Sequence, residues 1–338
     1  MNQDNFRKAL YWHVEKNAIV CDLCPRNCKL KNNQIGFCLN RKNINGELYS
    51  ITFNRISGSH IDPIEKKPLN HFYPGSAVFS FGTVGCNLNC NFCQNWHISK
   101  SSSNLLPEIF SSESIANLVQ ENHCRSIAFT YNEPIVFIEY LKEVAACAKE
   151  KGIYRIGVTA GYINEKPRVD FFNQLDAVNI DLKGFSENFY QKYCGIKLKP
   201  ILENIIYVKK ETNVWLELTN LVIPGINDSE KDIQKLTDWI IENLGPDVPL
   251  HFSAFSPQYK LTNNPVPSNE TLLKAREIAI SKGLNFVYTG NMLDNASQST
   301  YCSNCKKIVI ERRGYEIGNV FIKEGKCSYC NYLIAGRF

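Results

Sequence analysis

From residue 77 onward, short runs of β-branched and aromatic residues alternate with stretches of helical period, which is the pattern of a repeating β/α unit. The apolar runs at 78–82, 126–130, 154–158, 177–181, 214–221, 250–254 and 284–288 are the predicted strands. Between them the helical period is clearest after Pro134, where Ile138, Leu141, Ala145 and Ala148 recur on one face and predict a helix packed on the sheet. Six or seven parallel strands follow from this, an α/β fold closed partly into a (β/α)6, TIM-like barrel. Such barrels bind ligands at the C-terminal ends of their strands. Residues 48–74 read differently. Pro63, Pro68 and Pro74 break any helix there, so short strands and turns leading into the core are expected.

Cysteine placement divides the chain further. Of fourteen cysteines, four lie between Cys21 and Cys38, three between Cys86 and Cys93, four between Cys302 and Cys330, and Cys124, Cys147 and Cys194 stand alone. The expected organisation is an N-terminal cysteine-rich module over 1–75, a β/α core over 76–296 and a zinc-ribbon-like module over 297–338. At 338 residues the chain exceeds what a single core comfortably reaches, so small appendages on one large domain are reasonable. Cysteines in C-x2-C pairs point to metal rather than to disulfides in a cytosolic protein. No apolar run approaches the roughly 20 residues of a membrane helix, and the first residues carry no signal-peptide core. A cytoplasmic protein without a membrane partner is therefore expected. With 44% hydrophobic and 21% charged residues and a net charge of +5, the chain has no basic face that argues for nucleic acid.

The central stretch FGTVGCNLNCNFCQNWHIS (81–99) carries Cys86, Cys90 and Cys93 as C-x3-C-x2-C. Three thiolates on a short loop hold three irons of a [4Fe-4S] cubane and leave the fourth open for chemistry. A closed zinc site with His97 as fourth ligand, or three buried unpaired cysteines, are the less specific alternatives. Cys21, Cys24, Cys28 and Cys38 form C-x2-C-x3-C-x9-C, a four-sulfur set that suits zinc or an auxiliary cluster equally. Cys302, Cys305, Cys327 and Cys330 form C-x2-C-x21-C-x2-C and favour structural zinc, with an auxiliary cluster as the competitor. Strand-like segments at 307–311 and 320–323 fit between those knuckles. His60 and His71 belong to no cysteine set and are expected in polar-loop or satisfied core positions.

The string GCNLNCNFCQNWHIS resembles the radical S-adenosylmethionine (SAM) enzymes, and within them the radical enzyme of the AmmeMemoRadiSam system, related to the activating enzymes of glycyl-radical enzymes such as pyruvate formate-lyase. That resemblance spans nearly the whole chain and implies a barrel of the radical SAM type. It also implies an oxidoreductase in which a [4Fe-4S] cluster reductively cleaves S-adenosylmethionine to a 5'-deoxyadenosyl radical that abstracts hydrogen. It implies an electron donor of flavodoxin or ferredoxin type and allows a protein or peptide substrate. By the same resemblance Asn132 and Glu133 of TYNEP accept from the cofactor's ammonium group, and Thr159, Asp181, Lys183 and His251 lie beside the cofactor. Val222 or Ile223 would flank its adenine. The chain departs from the family at Asn33 and Ala160, where glycine and asparagine are usual. It departs also in carrying its extra cysteines at the ends, whereas several activating enzymes insert them after the central motif. The rival reading is a non-catalytic multi-zinc module that recognises a protein or nucleic acid.

Overall fold

The computed structural model describes residues 6–101, 109–292 and 294–338. Its centre is an eight-stranded sheet. The strands are β1 (Gly58–Pro63), β2 (Ala77–Gly82), β3 (Ser126–Phe129), β4 (Tyr154–Thr159), β5 (Ala177–Asp181), β6 (Trp215–Val222), β7 (Leu250–Ala254) and β8 (Val287–Gly290). They lie side by side in chain order; β2 to β8 are parallel, and β1 pairs antiparallel with β2. The parallel steps are bridged by α1 (Ser112–Glu121), α2 (Ile138–Glu150), α3 (Glu165–Phe172), α4 (Lys199–Glu211), α5 (Glu230–Leu244) and α6 (Asn269–Ser281). Six β/α units and a closing strand thus make the α/β partial barrel, open because β1 and β8 are not paired with each other.

Local chemistry explains the helix starts. Ser111, Ser229 and Ser268 cap α1, α5 and α6, each hydroxyl accepting the N–H three residues on. Before α2, Glu133 caps a short 3-10 turn that opens on Pro134, and Ile138, Leu141, Ala145 and Ala148 are buried against the sheet. The sequence places β8 three residues too early, since Leu284 and Phe286 are buried in the approach to the strand rather than paired within it. It also leaves β1 unrecognised as part of the sheet, because Pro63 ends it at the edge where no ladder N–H is needed.

The 64–74 segment packs into the barrel, where Ile64, Leu69 and Phe72 meet Val78, Ala128, Ile156 and Ala177 and buried polar groups are paired beside them. Fully buried Glu217 on β6 accepts from the backbone N–H groups of Asn70 and His71, at 2.9 and 2.8 Å, and from the Trp215 indole at 3.0 Å. Asn179 on β5 donates to the Pro68 carbonyl at 2.7 Å and accepts from the Thr219 hydroxyl at 2.9 Å. His71 is a buried core histidine held by Tyr288 and the Ala335 carbonyl, whereas His60 is an exposed strand residue edge-on to Tyr131.

Two cysteine-rich segments flank the barrel. Residues 7–50 form two small antiparallel sheets, and Asn33, standing where glycine is usual, adopts a φ of +65°. After Thr300 come a three-stranded sheet and the hairpin Ile322–Lys323/Lys326–Cys327. This tail packs on β8 through Phe286 and Tyr288 and returns to the 64–74 segment, where the Tyr73 backbone N–H donates to the Arg337 carbonyl. Among the described residues no helix is long and apolar enough to cross a membrane, and all fourteen cysteines are free.

Candidate functional site

The loop after β2 is fixed from several sides before any ligand is considered. Gly82 has no room for a side chain, because a Cβ there would lie 2.4 Å from the Thr130 carbonyl oxygen and 2.8 Å from Asn132 Oδ1. Asn132 staples the loop: its Oδ1 accepts from the Thr83 N–H at 3.0 Å, and its Nδ2 donates to Thr83 Oγ1 at 3.1 Å and to the Gly85 carbonyl at 2.8 Å. Lys100 donates to the Leu88 carbonyl at 2.6 Å, and the Asn89 N–H donates to the Cys194 carbonyl at 2.8 Å.

So held, Cys86, Cys90 and Cys93 all line one cavity of about 400 Å³ at the C-terminal ends of the strands. Asn132, Glu133, Thr159, Asp181 and Lys183 line the same cavity. Burial raises the Cys86 and Cys93 thiols above their ordinary range, and the abutting Cys194 thiol together with burial raises Cys90. His97 is exposed and absent from the cavity wall, so it does not complete a zinc tetrahedron. Among the described residues, the group of ligand atoms placed within 4.8 Å of one another to hold a single metal ion is at the C-terminal end. Three inward-facing thiols without a fourth protein ligand fit a cluster with one open iron.

Across the cavity, the Glu133 carboxylate accepts from the Thr159 hydroxyl, from the Ala160 N–H at 2.9 Å and from the Ile135 N–H at 3.3 Å. Burial nevertheless pushes its carboxyl up to about 7. Asp181 and Lys183, two residues apart at the end of β5, make an ion pair of 2.7 Å. Burial opposes the Lys183 charge, but Asp181 and the neighbouring thiol groups outweigh it and raise the ammonium.

Other sequence-predicted residues lie elsewhere. His251 lines an adjoining cavity of about 510 Å³ rather than the cysteine-lined one, because its Nε2 is held 2.7 Å from Glu217 Oε2. Val222 and Ile223 are fully buried in the core; Leu221 and Thr219 face the cavity instead, as the period of two along β6 requires, and Ile223 sits in a turn closed by Asn227. Sequence reasoning missed Ser253, Gln94, Asn291 and Lys66, which line both cavities. Ser253 was findable, standing two residues beyond His251 on the same face of β7.

Residues 81–239 match the family model described as the radical SAM superfamily. An uncharacterized protein of Methanocaldococcus jannaschii is 39% identical over 97% of this chain and 98% of its own length. The chain belongs to the radical SAM superfamily. A second protein of that organism, named as a putative glycyl-radical enzyme activating enzyme, is 28% identical over 59% of this chain and 75% of its own. A radical SAM methyltransferase from Sphaerobacter thermophilus shares the fold at a TM-score of 0.51 and 15% identity, over 65% of this chain and 68% of that one. Membership makes the chain an enzyme that uses a [4Fe-4S] cluster and S-adenosylmethionine, and it sets aside the non-catalytic reading.

The tail of the radical SAM chain brings together four cysteines that could hold a further metal. Cys302 and Cys330 Sγ are 3.7 Å apart, as are Cys305 and Cys327 Sγ, and all four sulfurs fall within 4.8 Å of one another. A tetrahedral ion with metal–sulfur bonds of about 2.3 Å has S···S edges of about 3.8 Å, so the group is sized for one zinc. Backbone and Asn304 hydrogen bonds already lower the Cys330 thiol to about 6, while burial raises Cys302 to about 12.

Proposed function

We propose that this chain is a radical SAM oxidoreductase whose substrate is a protein or peptide, in the manner of glycyl-radical activating enzymes. Bound at this site, the cluster and S-adenosylmethionine supply one-electron cleavage of the cofactor and abstraction of a substrate hydrogen. Cys86, Cys90 and Cys93 are the cluster ligands in this reading. Glu133 is the acceptor for the cofactor's ammonium group, with Thr159 and the Ala160 N–H orienting it. Asp181 and Lys183 form a polar pair for its remaining groups. Asn132 acts by fixing the loop, since its amide is committed to Thr83 and Gly85. His251 serves the adjoining cavity.

The observation that carries the peptide reading is that second cavity. It is about 510 Å³, shares Lys66, Gln94, Ser253 and Asn291 with the first, and is walled by Arg312, Gly314 and Tyr315 of the tail. Cluster and cofactor would occupy the first chamber, leaving the second as an approach for an extended segment with polar groups to meet its backbone. An electron donor of flavodoxin or ferredoxin type and a cytoplasmic setting, where free cysteines persist, complete the reading.

Two measurements test it. Asp181→Asn and Lys183→Ala should each weaken S-adenosylmethionine binding by about one to two decades with iron content unchanged, since a charge-assisted hydrogen bond contributes roughly 1.5 to 3 kcal/mol; unchanged affinity would reduce them to a structural pair. For the substrate, extract from cells grown on deuterated glycine is separated by size and each fraction is supplied to reduced enzyme. Deuterium entering 5'-deoxyadenosine from the macromolecular fraction is expected, and entry from the small-molecule fraction alone overturns the peptide reading.

A further inference from the structure

Four stretches of chain meet at the loop that carries Cys86, Cys90 and Cys93: the loop itself (86–100) and residues 25–38, 189–200 and 256–261. Arg26 donates through Nε to the Asn87 carbonyl and through Nη2 to the Gly195 carbonyl, the latter at 3.0 Å. The N–H groups of Asn89 and Asn91, on either side of Cys90, donate to the Cys194 and Tyr193 carbonyls, both at 2.8 Å. The Asn91 carbonyl in turn accepts from the Lys260 N–H at 2.9 Å. Bonds to the loop's own backbone thus lay the other three stretches against it.

Charge is segregated on this face. The four stretches contain eight lysines and arginines and no aspartate or glutamate, although the whole chain is nearly balanced at 38 basic against 33 acidic residues. Because the stretches are far apart in sequence, the segregation arises only on folding. Lys29 and Lys199 are taken up by Glu15 and Glu203, at 2.9 and 3.6 Å. Lys192, Lys197 and Lys260 are exposed and have no carboxylate partner among the described residues. Glu187, just before the third stretch, is committed to the Leu198 N–H and the Gln191 side chain, each at 3.0 Å.

Aromatic rings are interleaved with these charges. Trp96, three residues beyond Cys93 and 43% exposed, stacks on Tyr259 with centroids 5.6 Å apart, and Lys260 Nζ lies 5.2 Å from the Tyr259 ring. Phe37, equally exposed, lies against Arg26, whose Cζ is 3.5 Å from the ring centroid. Exposed rings beside cations are the composition of a protein contact surface, in which the rings supply area and the charges steer the partner.

We propose that this face is the docking surface for an acidic one-electron carrier that reduces the cluster at Cys86, Cys90 and Cys93. The charge sets the sign of the partner, and the position sets its role. Arg26, Trp96, Lys192 and Lys260 line neither the cysteine-lined cavity nor the adjoining one, so a carrier seated on them stands beside the cluster loop and leaves the substrate's approach open. In the transfer the reduced carrier loses one electron and the cluster gains it; no bond forms or breaks and no proton moves. The inference rests on membership of the radical SAM superfamily and on the electron donor of the reading above, and is independent of the substrate.

The test reverses charge at exposed positions and compares donors. Lys192→Glu/Lys260→Glu should slow S-adenosylmethionine cleavage driven by limiting reduced flavodoxin about tenfold or more at low salt, since electrostatic steering changes association rates by about 10- to 1,000-fold. Iron content and the rate with photoreduced deazariboflavin, a small neutral donor, should be unchanged. Added salt should slow the flavodoxin-driven wild type and affect the variant less. Lys209→Glu/Lys210→Glu makes the same change of net charge at the end of α4, at the opposite end of the barrel, and should keep the wild-type rate with both donors. Equal loss in the two double variants would make the effect one of net charge and overturn the surface, as would a flavodoxin-driven wild-type rate that salt does not lower. Equal loss with both donors in Lys192→Glu/Lys260→Glu would mean that the lysines support the cluster loop itself, and it too overturns the proposal. If deuterium transfer from a macromolecular substrate falls while flavodoxin-driven cleavage keeps its rate, the face belongs to the substrate and not to a carrier.

Discussion

At the C-terminal end two pairs of sulfurs close to 3.7 Å and all four fall within 4.8 Å of one another, whereas at the N-terminal end four cysteines line a cavity of about 10 Å³ together with Arg26, Arg41 and Asn87. Ligand type and number are the same, so the difference comes from how the chain delivers them. The tail brings two C-x2-C knuckles face to face across short strands. The N-terminal segment places three cysteines within eight residues and brings the fourth from ten residues on, over the turn at Asn33 and Gly36. Each module is tied to the barrel by one buried arginine, but the ties differ too. Arg41 pairs with the Glu139 carboxylate of α2, while Arg312 donates to neutral acceptors, the Asn70 carbonyl and the Thr300 hydroxyl, both at 2.7 Å, with Glu65 farther off at 3.6 Å. Sulfur count therefore does not identify a metal; sulfur spacing and the groups around it do.

The largest expected effect separates the two modules outright. Cys327→Ser/Cys330→Ser removes half of the tight tetrahedron, and structural zinc in small modules contributes on the order of 10 kcal/mol to folding. The tail beyond about residue 299 should become protease-sensitive and zinc should fall by one equivalent, with iron and dithionite-driven cofactor cleavage retained. Iron lost in place of zinc would mean that the tail holds an iron–sulfur cluster.

That contrast lay beyond the sequence, although much of the rest did not. The parallel strands and the α2 face were legible because β/α periodicity is local and repeated, and burial of Ile138, Leu141, Ala145 and Ala148 follows directly from it. The grouping of Cys86, Cys90 and Cys93 with Glu133, Thr159, Asp181 and Lys183 was legible because strand ends in such a barrel converge. His251 was read beside the cofactor because its partner was invisible: Glu217 is one strand away in space and 34 residues away in sequence. Asn132 was read as a ligand contact for a similar reason, since the loop atoms it binds are 47 to 49 residues earlier. Long-range hydrogen bonds decide where polar side chains point, and a single sequence does not encode them visibly.

The next effect concerns the two arginines. Arg41→Ala leaves Glu139 buried without its counter-charge, which costs about 3 to 5 kcal/mol. Arg312→Ala removes bonds to neutral groups and leaves Glu65, whose carboxyl burial already raises, able to accept a proton; roughly 1.5 to 3 kcal/mol is expected. Denaturation midpoints of the two metal-loaded variants at one pH should therefore rank Arg41→Ala as the less stable. The reverse order would mean that the tail, rather than the N-terminal module, is the more strongly charge-anchored to the barrel.

The smallest effect sets both end modules against the central site, whose cavity carries a titratable carboxyl where they carry permanently charged arginines. Glu133 faces the Thr159 hydroxyl, the Ala160 and Ile135 N–H groups, the Asp181 carboxylate and Cys86, and burial outweighs the hydrogen bonds to hold it at about 7 against an ordinary value of 4.5. Because the raised group is an acid, the folded chain keeps a proton that the unfolded chain gives up. Below pH 4.5 both states are protonated and the group is neutral to stability; between 4.5 and about 7 stability falls as pH rises; above that the loss is complete, at most about 3 kcal/mol. A cation bound beside Glu133 would favour its ionised form, so S-adenosylmethionine binding should release a proton and tighten as pH rises toward 7. In Glu133→Gln the unfolding midpoint should lose this fall between pH 5 and 8, and the cofactor's affinity should lose its rise over the same interval. If the variant keeps both slopes, the carboxyl that titrates is another one, and Glu133 is not the group that receives the cofactor's ammonium.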